Sequence, residues 1–350
     1  MKEALLYRKE GDRVICTACA RRCRLKDGQT GFCGVRRNID GKLYLLVYGK
    51  AVAVNVDPIE KKPVTHFMPG SSIFSIGTTG CSWACKYCQN YDISQRREVA
   101  GEKLEPQDIV DLAIKNDCQG IAYTYNEPSI YIEYAYDTGI IAHRNGLFNI
   151  FVSNGFYTED TVELVKKFLD AITIDIKGNG SLNFLQKNVL INDNKPIFDT
   201  LIALKESNIH LEITDLVVPQ IGDDLEEARK LSKFIHDKIG PDTPLHFLRF
   251  FPDYKLNYLP PTPVETLEKH YKVAKDEGLN YVYIGNVPGH PLENTYCPNC
   301  GRAVIERFGF DIVGWHLNEK NECEYCGYKI NIIGPKPSMV PKNRFHPVEI

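Results

Sequence analysis

Eleven of the twelve cysteines of this chain fall into three clusters, and cysteine thiolates are ligands for metal ions. The clusters are Cys16, Cys19, Cys23 and Cys33; Cys81, Cys85 and Cys88; and Cys297, Cys300, Cys323 and Cys326. In a reducing compartment, clustered thiols bind metal more often than they form disulfides. Four thiolates complete a tetrahedral site, whereas three leave one metal position open for chemistry. The counts of four, three and four therefore indicate a division of labour, with the reactive site at the central cluster.

The central cluster has the spacing C-x3-C-x2-C and lies between Gly80 and Asn90. Three thiolates at this spacing can bind three irons of a 4Fe-4S cluster and leave the fourth iron free. A zinc site completed by a distant residue is the alternative. The cluster directly follows an apolar run at 73–77, which is predicted to be a strand. Barrel active sites are built at this carboxyl end of the strands.

Strand-like and helix-like segments alternate through most of the chain after residue 72. The predicted strands are 73–77, 119–124, 148–153, 171–176, 210–218, 244–250 and 280–284. The predicted helices are 105–117, 129–145, 158–169, 197–207, 224–238 and 263–278. This alternation indicates parallel βα units, too few for a full eight-fold barrel. The predicted fold class is therefore α/β, a partial (β/α)6 TIM-like barrel with a small Cys-rich metal-binding segment at each end.

Three regions follow from this pattern. Residues 1–70 are an N-terminal Cys-rich segment with a β-hairpin, since two β-rich runs within 43–56 are separated at Gly49-Lys50. Residues 71–290 form the partial barrel. Residues 291–350 are a zinc-ribbon-like segment with a Pro-rich tail, whose prolines are Pro335, Pro337, Pro341 and Pro347.

Polar residues end several predicted strands, at the end of the barrel that carries the central cluster. Glu127 follows the second strand, Ser153 and Asn154 end the third, and Asp175 and Lys177 end the fourth. The last two alternate with apolar residues, so both point into the barrel, where a charge needs a partner or a ligand. Each has a plainer interpretation. Glu127 can be an acid in a first helical turn, Ser153-Asn154 a turn, and Asp175–Lys177 an internal salt bridge.

Three other residues have side chains that could take part in chemistry. His246 and Arg249 lie on the sixth predicted strand and are candidates, although either can be ordinary polarity at the barrel rim. Cys118, outside the clusters, is expected to be a small buried apolar residue.

The central segment, with the aromatic Tyr87 before its third cysteine, resembles the signature of the radical S-adenosylmethionine (SAM) superfamily. Longer motifs indicate a particular branch of this superfamily. They include Gly31-Phe-Cys-Gly-Val-Arg36, Asp57-Pro-Ile-Glu-Lys-Lys62-Pro and Gly285-Asn-Val-Pro-Gly289. Together they resemble the radical enzyme of the AmmeMemoRadiSam system, a branch close to the pyruvate formate-lyase activating enzymes.

The resemblance implies a mechanism and cofactors. A 4Fe-4S cluster would cleave SAM reductively, and the 5′-deoxyadenosyl radical would abstract hydrogen from an unknown substrate, by analogy a glycine of a protein. The chain would then be an oxidoreductase of the activating-enzyme kind. Implied partners are a reductant such as flavodoxin or ferredoxin, and proteins of the Memo and AMMECR families. The implied SAM contacts are Tyr87, Glu127, Ser153, Asn154, Asp175 and Lys177. Related enzymes have Gly-Gly-Glu where this chain has Tyr125-Asn126-Glu127.

The outer clusters have different spacings. The C-terminal one is two C-x2-C-G knuckles, a zinc-ribbon pattern that favours structural zinc over an auxiliary iron–sulfur cluster or unmetallated thiols. The N-terminal one is C-x2-C-x3-C-x9-C, which suits zinc or an auxiliary iron–sulfur cluster, with reduced structural thiols as the third alternative. Arg21 and Arg22 beside it either lower thiolate pKa values or are solvated surface charges.

Composition excludes several classes of protein. The chain is 43% hydrophobic and 25% charged, with a net charge of −3, so a dominant nucleic-acid surface is not expected. It contains no apolar run long enough for a membrane span and no secretory segment, so a cytoplasmic protein is expected. The alternative to an enzyme is a metal-binding scaffold that recruits protein or nucleic acid through its zinc ribbon without turnover.

Overall fold

The computed structural model describes residues 1–337 and 345–348 and is built around a nine-stranded sheet. The strands are β1 (Lys2–Glu3), β2 (Tyr7–Glu10), β3 (Arg13–Cys16), β4 (Arg24–Lys26), β5 (Arg36–Ile39), β6 (Lys42–Leu45), β7 (Lys50–Ala51), β8 (Ala53–Pro58), β9 (Ser72–Gly77), β10 (Glu102–Lys103), β11 (Gly120–Tyr123), β12 (Phe148–Ser153), β13 (Ala171–Lys177), β14 (His210–Val217), β15 (Leu245–Arg249), β16 (Val282–Gly285), β17 (Thr295–Tyr296), β18 (Ala303–Phe308), β19 (Asp311–Trp315) and β20 (His346–Pro347). The α-helices are α1 (Tyr91–Ser94), α2 (Pro106–Lys115), α3 (Ile132–Arg144), α4 (Glu159–Val165), α5 (Leu182–Asn188), α6 (Lys195–Lys205), α7 (Leu225–Phe234) and α8 (Val264–Asp276).

The central sheet is a partial parallel barrel, which confirms the predicted fold class. Strands β9 and β11 to β16 run parallel in chain order, and each successive pair is connected through one or two helices. Seven parallel strands joined by helices make six βα units. Two antiparallel strands extend the β9 edge, with β8 beside β9 and β20 beside β8. All carboxyl ends of the parallel strands therefore meet at one rim.

Local signals position the barrel elements. The apolar side chains of β13 are completely buried, as expected for a parallel strand covered on both faces. Helix α2 begins with a capping box between Glu105 and Asp108, and the Thr158 hydroxyl caps α4 by accepting from the Thr161 amide. The predicted helix 158–169 ends earlier, at Val165, and the predicted helix 224–238 is α7 followed by a π-helical turn.

The predicted hairpin requires the two β-rich runs within 43–56 to pair with each other. They do not. Strand β6 forms a hairpin with β5, whereas β8 pairs with β9 over six residues. Pairing with β8 gives the backbone N–H and C=O groups at the edge of β9 hydrogen-bond partners. It also buries Val54 and Val56 in the main core. The predicted boundary at residue 70 therefore divides this sheet.

The two outer segments pack differently. Apolar residues of the N-terminal segment, including Val14 and Leu43, belong to the same hydrophobic core as the barrel. The C-terminal strands β17 to β19 form a small sheet with its own core around Val304 and Trp315. Of the tail prolines, Pro341 lies outside the described residues. Among the described residues, no helix has the length and apolar character that crossing a membrane requires.

Candidate active site and metal centres

The loop that carries the central cysteines follows β9 and is held in place by its backbone. Ala84 and Lys86 donate backbone hydrogen bonds to Val189 and Asn188, at 3.1 and 2.9 Å. Asn126, which sequence reasoning assigned no role, donates from Nδ2 to the Gly80 carbonyl at 2.8 Å. These bonds fix the loop to the turns after β11 and α5.

The central thiols and all six residues predicted to contact SAM line one cavity of about 440 Å³ at the carboxyl ends of the strands. They are Cys81, Cys85, Cys88, Tyr87, Glu127, Ser153, Asn154, Asp175 and Lys177. A cavity of this volume suits a ligand of cofactor size. Arg249 also lines it, whereas His246 lies outside it and contacts Glu212 at 2.7 Å.

The three sulfurs of the central cluster do not all lie within 4.8 Å of one another, unlike those of the C-terminal cluster. The Cys81 sulfur accepts the Trp83 amide at 3.4 Å, and the Cys88 sulfur lies 3.0 Å from the Ser94 hydroxyl. Within the described part of the chain, the C-terminal cluster is the only group of three or more Cys, His, Asp or Glu residues whose ligand atoms all lie within 4.8 Å of one another. Burial raises the pKa of Cys85 to about 12, so a bound cation is needed to keep this sulfur a thiolate.

Glu127 is the N-cap residue of a 3₁₀ turn, one position before the first turn, and it also lines the cavity. Its carboxylate accepts from the Ser129 amide at 2.9 Å at the start of a 3₁₀ turn, which makes it a helix cap. It also accepts from the Ser153 hydroxyl at 2.9 Å and the Asn154 amide at 2.8 Å. Burial raises its pKa, and these hydrogen bonds partly offset the rise. The carboxylate nevertheless lines the cavity, where a cationic group would stabilise its charge.

Tyr87 and Asn154 are both placed against neighbouring loops. The Tyr87 ring is buried and stacks on Phe184 with 5.8 Å between ring centroids. Asn154 donates from Nδ2 to the Ser82 hydroxyl at 3.1 Å, and its Oδ1 accepts from the Phe156 amide at 3.0 Å. Asn154 therefore joins the β12 turn to the cysteine loop.

Asp175 and Lys177 form the predicted salt bridge, at 2.9 Å, on the cavity wall. Burial lowers the pKa of Lys177, but the attraction of Asp175 outweighs it, so the pKa is raised. The nearby Asp215 is fully buried, and burial raises its pKa to about 7. One Asp215 oxygen accepts the Asn179 amide at 3.0 Å. The cavity wall thus carries charges of both signs, from Asp175 and Lys177.

A second charged group, which sequence reasoning did not assign to the site, reaches the cavity from β8. Asp57 is fully buried and accepts from Lys61 at 2.8 Å, Lys62 at 2.6 Å and the Tyr125 hydroxyl at 2.6 Å. Both lysines and Tyr125 line the cavity. Burial lowers the pKa of Lys62 to about 8, although Asp57 opposes the shift. The sequence signal was the motif from Asp57 to Lys62, in which an acid is followed by two lysines.

The C-terminal cysteines form a compact four-sulfur group. The sulfurs of Cys297 and Cys326 lie 3.6 Å apart, and those of Cys300 and Cys323 lie 3.8 Å apart. Gly301 and Gly327, after the two knuckles, have φ values of +72° and +76°, a backbone conformation that glycine adopts without strain. Cys118 is buried in the main hydrophobic core, as predicted.

The chain is similar to several known proteins. Residues 75–235 match the model of the Radical SAM superfamily. The uncharacterized protein MJ0808 of Methanocaldococcus jannaschii is 44% identical over 337 residues, 95% of this chain and 100% of that protein. The pyruvate formate-lyase 1-activating enzyme of Escherichia coli K12 is 22% identical over 220 residues, 58% of this chain and 89% of that enzyme. A solved domain of the pyruvate-formate lyase-activating enzyme from Bacteroides vulgatus aligns with a TM-score of 0.41 and 16% identity, over 48% of this chain and 99% of that domain.

Proposed function

This chain belongs to the family of the archaeal protein MJ0808 and carries a radical SAM domain, and from this premise we propose that it cleaves SAM to generate a substrate-activating radical. One observation carries the proposal. The three cysteines of a C-x3-C-x2-C loop open onto the same cavity as a buried carboxylate and an inward-facing ion pair.

The cysteine loop fits a 4Fe-4S cluster better than a single ion. Each thiolate of such a cluster binds its own iron, so the sulfurs are expected to stand farther apart than in a mononuclear site. The sulfurs of Cys81, Cys85 and Cys88 do not form the compact group of a mononuclear site, whereas the C-terminal sulfurs do, and this difference supports the assignment. Cys81, Cys85 and Cys88 would hold the cluster, which would supply the electron for cleavage of SAM to methionine and a 5′-deoxyadenosyl radical.

The residues of the chain orient SAM and exclude water. Glu127 faces the cavity with a carboxylate held by three hydrogen-bond donors, and we assign it to the methionyl ammonium. The Asp175–Lys177 pair offers an acceptor and a donor to the polar groups of the nucleoside or of the methionine carboxylate. Lys62 and Arg249 place two cations on the cavity wall, which favours an anionic or carbonyl group on the substrate.

We also propose the finer assignments that the sequence motifs imply. The reaction is oxidative hydrogen abstraction of the activating-enzyme kind, within the AmmeMemoRadiSam system and with Memo and AMMECR family proteins as partners. Flavodoxin or ferredoxin is the proposed electron donor. Co-purification of the tagged chain with candidate partners from its own organism tests the association, and a glycyl radical signal on a partner protein would identify the substrate.

We propose zinc for the C-terminal cluster. Four thiolates around one zinc ion at about 2.3 Å stand about 3.8 Å apart at tetrahedral angles. The two sulfur pairs, at 3.6 and 3.8 Å, have this spacing. Zinc that is lost from a Cys300→Ser variant while the iron content is unchanged would support this assignment.

The experiment that tests the proposed function is turnover of the anaerobically reconstituted chain. Incubation with dithionite and SAM is expected to release 5′-deoxyadenosine and methionine in equal amounts. A protein that binds zinc alone and releases no nucleoside would contradict the proposal and favour the scaffold alternative.

A further inference from the structure

The four N-terminal cysteines converge at one place, although 17 positions separate the first from the last in the numbering. The Cys16 amide donates to the Cys23 carbonyl at 3.0 Å, and the Cys23 sulfur accepts the amide of Phe32, next to Cys33, at 3.5 Å. A Cβ built on Gly31, two residues before Cys33, would lie 3.6 Å from the Cys23 sulfur. The Arg22 amide, next to Cys23, donates to the Cys19 carbonyl at 3.1 Å. Cys16, Cys19 and Cys33 are buried, so this group is enclosed by protein.

Neither the N-terminal sulfurs nor the central ones form a compact group like that of the C-terminal cluster. Within residues 1–337 and 345–348, only the C-terminal set brings three or more ligand atoms within 4.8 Å of one another. No three sulfurs of the N-terminal set therefore meet this limit, as at the central set. A single tetrahedral zinc draws its four sulfurs to about 3.8 Å from one another. Separate irons of one cluster do not impose this spacing.

The N-terminal set also lies directly beside the radical site. The Cys33 carbonyl approaches Gly80, the residue before Cys81, so closely that a Cβ built on Gly80 would lie 2.2 Å from it. Arg21 donates from Nε to the Ser82 carbonyl and from Nη2 to the Leu190 carbonyl at 2.6 Å. The segment that carries the N-terminal cysteines therefore contacts the central loop directly, through Cys33 and Arg21.

We propose that Cys16, Cys19, Cys23 and Cys33 hold a second iron–sulfur cluster, which passes electrons to the central site. One electron enters from a donor of the flavodoxin or ferredoxin class, which is oxidised, and the same electron leaves for the central site. No bond to the cysteines forms or breaks. The electron-carrying role rests on the proposed function, whereas the presence of the cluster does not.

The test measures metal in a variant that lacks the central cluster. The Cys81→Ser/Cys85→Ser/Cys88→Ser variant is purified anaerobically without added iron or sulfide. We expect it to retain about four irons and about four sulfides per chain, about half of the wild-type content. Dithionite should bleach its visible absorption and produce the electron paramagnetic resonance signal of a reduced cluster. Cys118→Ser, which alters a buried cysteine outside all clusters, should keep the full wild-type content.

Two results would overturn the proposal. A second zinc in place of the retained iron would assign the N-terminal set to structural zinc, and a loss of all iron from the triple variant would exclude a second cluster. The electron-carrying role has its own test. A Cys19→Ser/Cys33→Ser variant should lose most nucleoside formation driven by reduced flavodoxin but keep that driven by dithionite, and equal rates with flavodoxin would refute the role. If wild-type protein forms no nucleoside, the metal content of the triple variant still decides the site.

Discussion

Replacement of Glu127 by glutamine separates the two roles that the structure gives this carboxylate. Glutamine keeps the shape of the side chain and one acceptor oxygen, so the cap of the 3₁₀ turn at Pro128–Tyr131 can persist. It removes the negative charge that the proposed function assigns to the methionyl ammonium. We therefore expect Glu127→Gln to weaken SAM binding in a protein that still folds.

The magnitude follows from burial and from the number of hydrogen bonds. Glu127 is 2% exposed, so solvent screens its charge little. A hydrogen bond to a charged group contributes about 1.5–3 kcal/mol, which corresponds to about 10- to 150-fold weaker binding of SAM. The amide nitrogen of glutamine also faces the Ser153 hydroxyl or the Asn154 amide, both donors in the native site. A lost hydrogen bond of this kind costs about 1–3 kcal/mol of folding free energy.

Equilibrium dialysis of labelled SAM against the anaerobic holoprotein measures the dissociation constant, and iron content verifies that the cluster is intact. Glu163→Gln is the matched control, because Glu163 is exposed and pairs only with Lys166 in the described structure. A dissociation constant for Glu127→Gln within about twofold of wild type, with full iron content, would refute the ammonium contact. Such a twofold change in the dissociation constant is less than about 0.5 kcal/mol of binding free energy. Glu127 would then act only as a cap of the 3₁₀ turn.

Two further predictions concern the charged group from β8. Asp57→Asn leaves Lys62 buried beside a neutral partner, so we expect the free energy of unfolding in urea to fall by about 3–5 kcal/mol, whereas Lys61→Gln should cost less than about 1 kcal/mol because Lys61 is partly exposed. An equal, small loss in both variants would contradict the importance of the buried pair. The second prediction concerns pH. The folded pKa of Lys62, about 8, lies below its ordinary value of 10.5, so the unfolded chain binds more protons between these pH values. The stability of wild type relative to Lys62→Met should therefore rise as the pH increases above 8, and a relative fall in urea unfolding measured from pH 7.5 to 9.5 would contradict the depressed pKa.

The sequence allowed the barrel and the polar residues at its rim to be predicted because both depend on local patterns. Strand β12 has the predicted bounds, and Asp175 and Lys177 face the cavity because alternate residues of a strand share a face. The cysteine loop was predicted from its spacing and from the strand before it. These features need no knowledge of distant contacts.

The contribution of Asp57 could not be predicted in the same way. The contact between Asp57 and Tyr125 joins residues 68 positions apart and exists because β8 pairs antiparallel with β9. The two β-rich runs within 43–56 looked like a hairpin, and pairing with a nearer strand is the usual expectation for such runs. The strand β8 pairs with β9 because β9 has a free edge in the sheet. That edge exists only once the sheet has folded. Spacing also left the metal of the N-terminal cluster undecided, because the distances between sulfurs depend on the fold.

The measurement that tests the central claim most directly is 5′-deoxyadenosine formation by Cys85→Ala compared with Cys118→Ala. Both variants remove one buried or half-buried cysteine, but only Cys85 lines the cavity. After anaerobic reconstitution with iron and sulfide, and with dithionite and SAM present, Cys118→Ala should release the nucleoside as wild type does. Cys85→Ala should release none while it retains the circular dichroism spectrum of the folded protein. Nucleoside release by Cys85→Ala at the wild-type rate would contradict the assignment of the three cysteines to a radical SAM cluster.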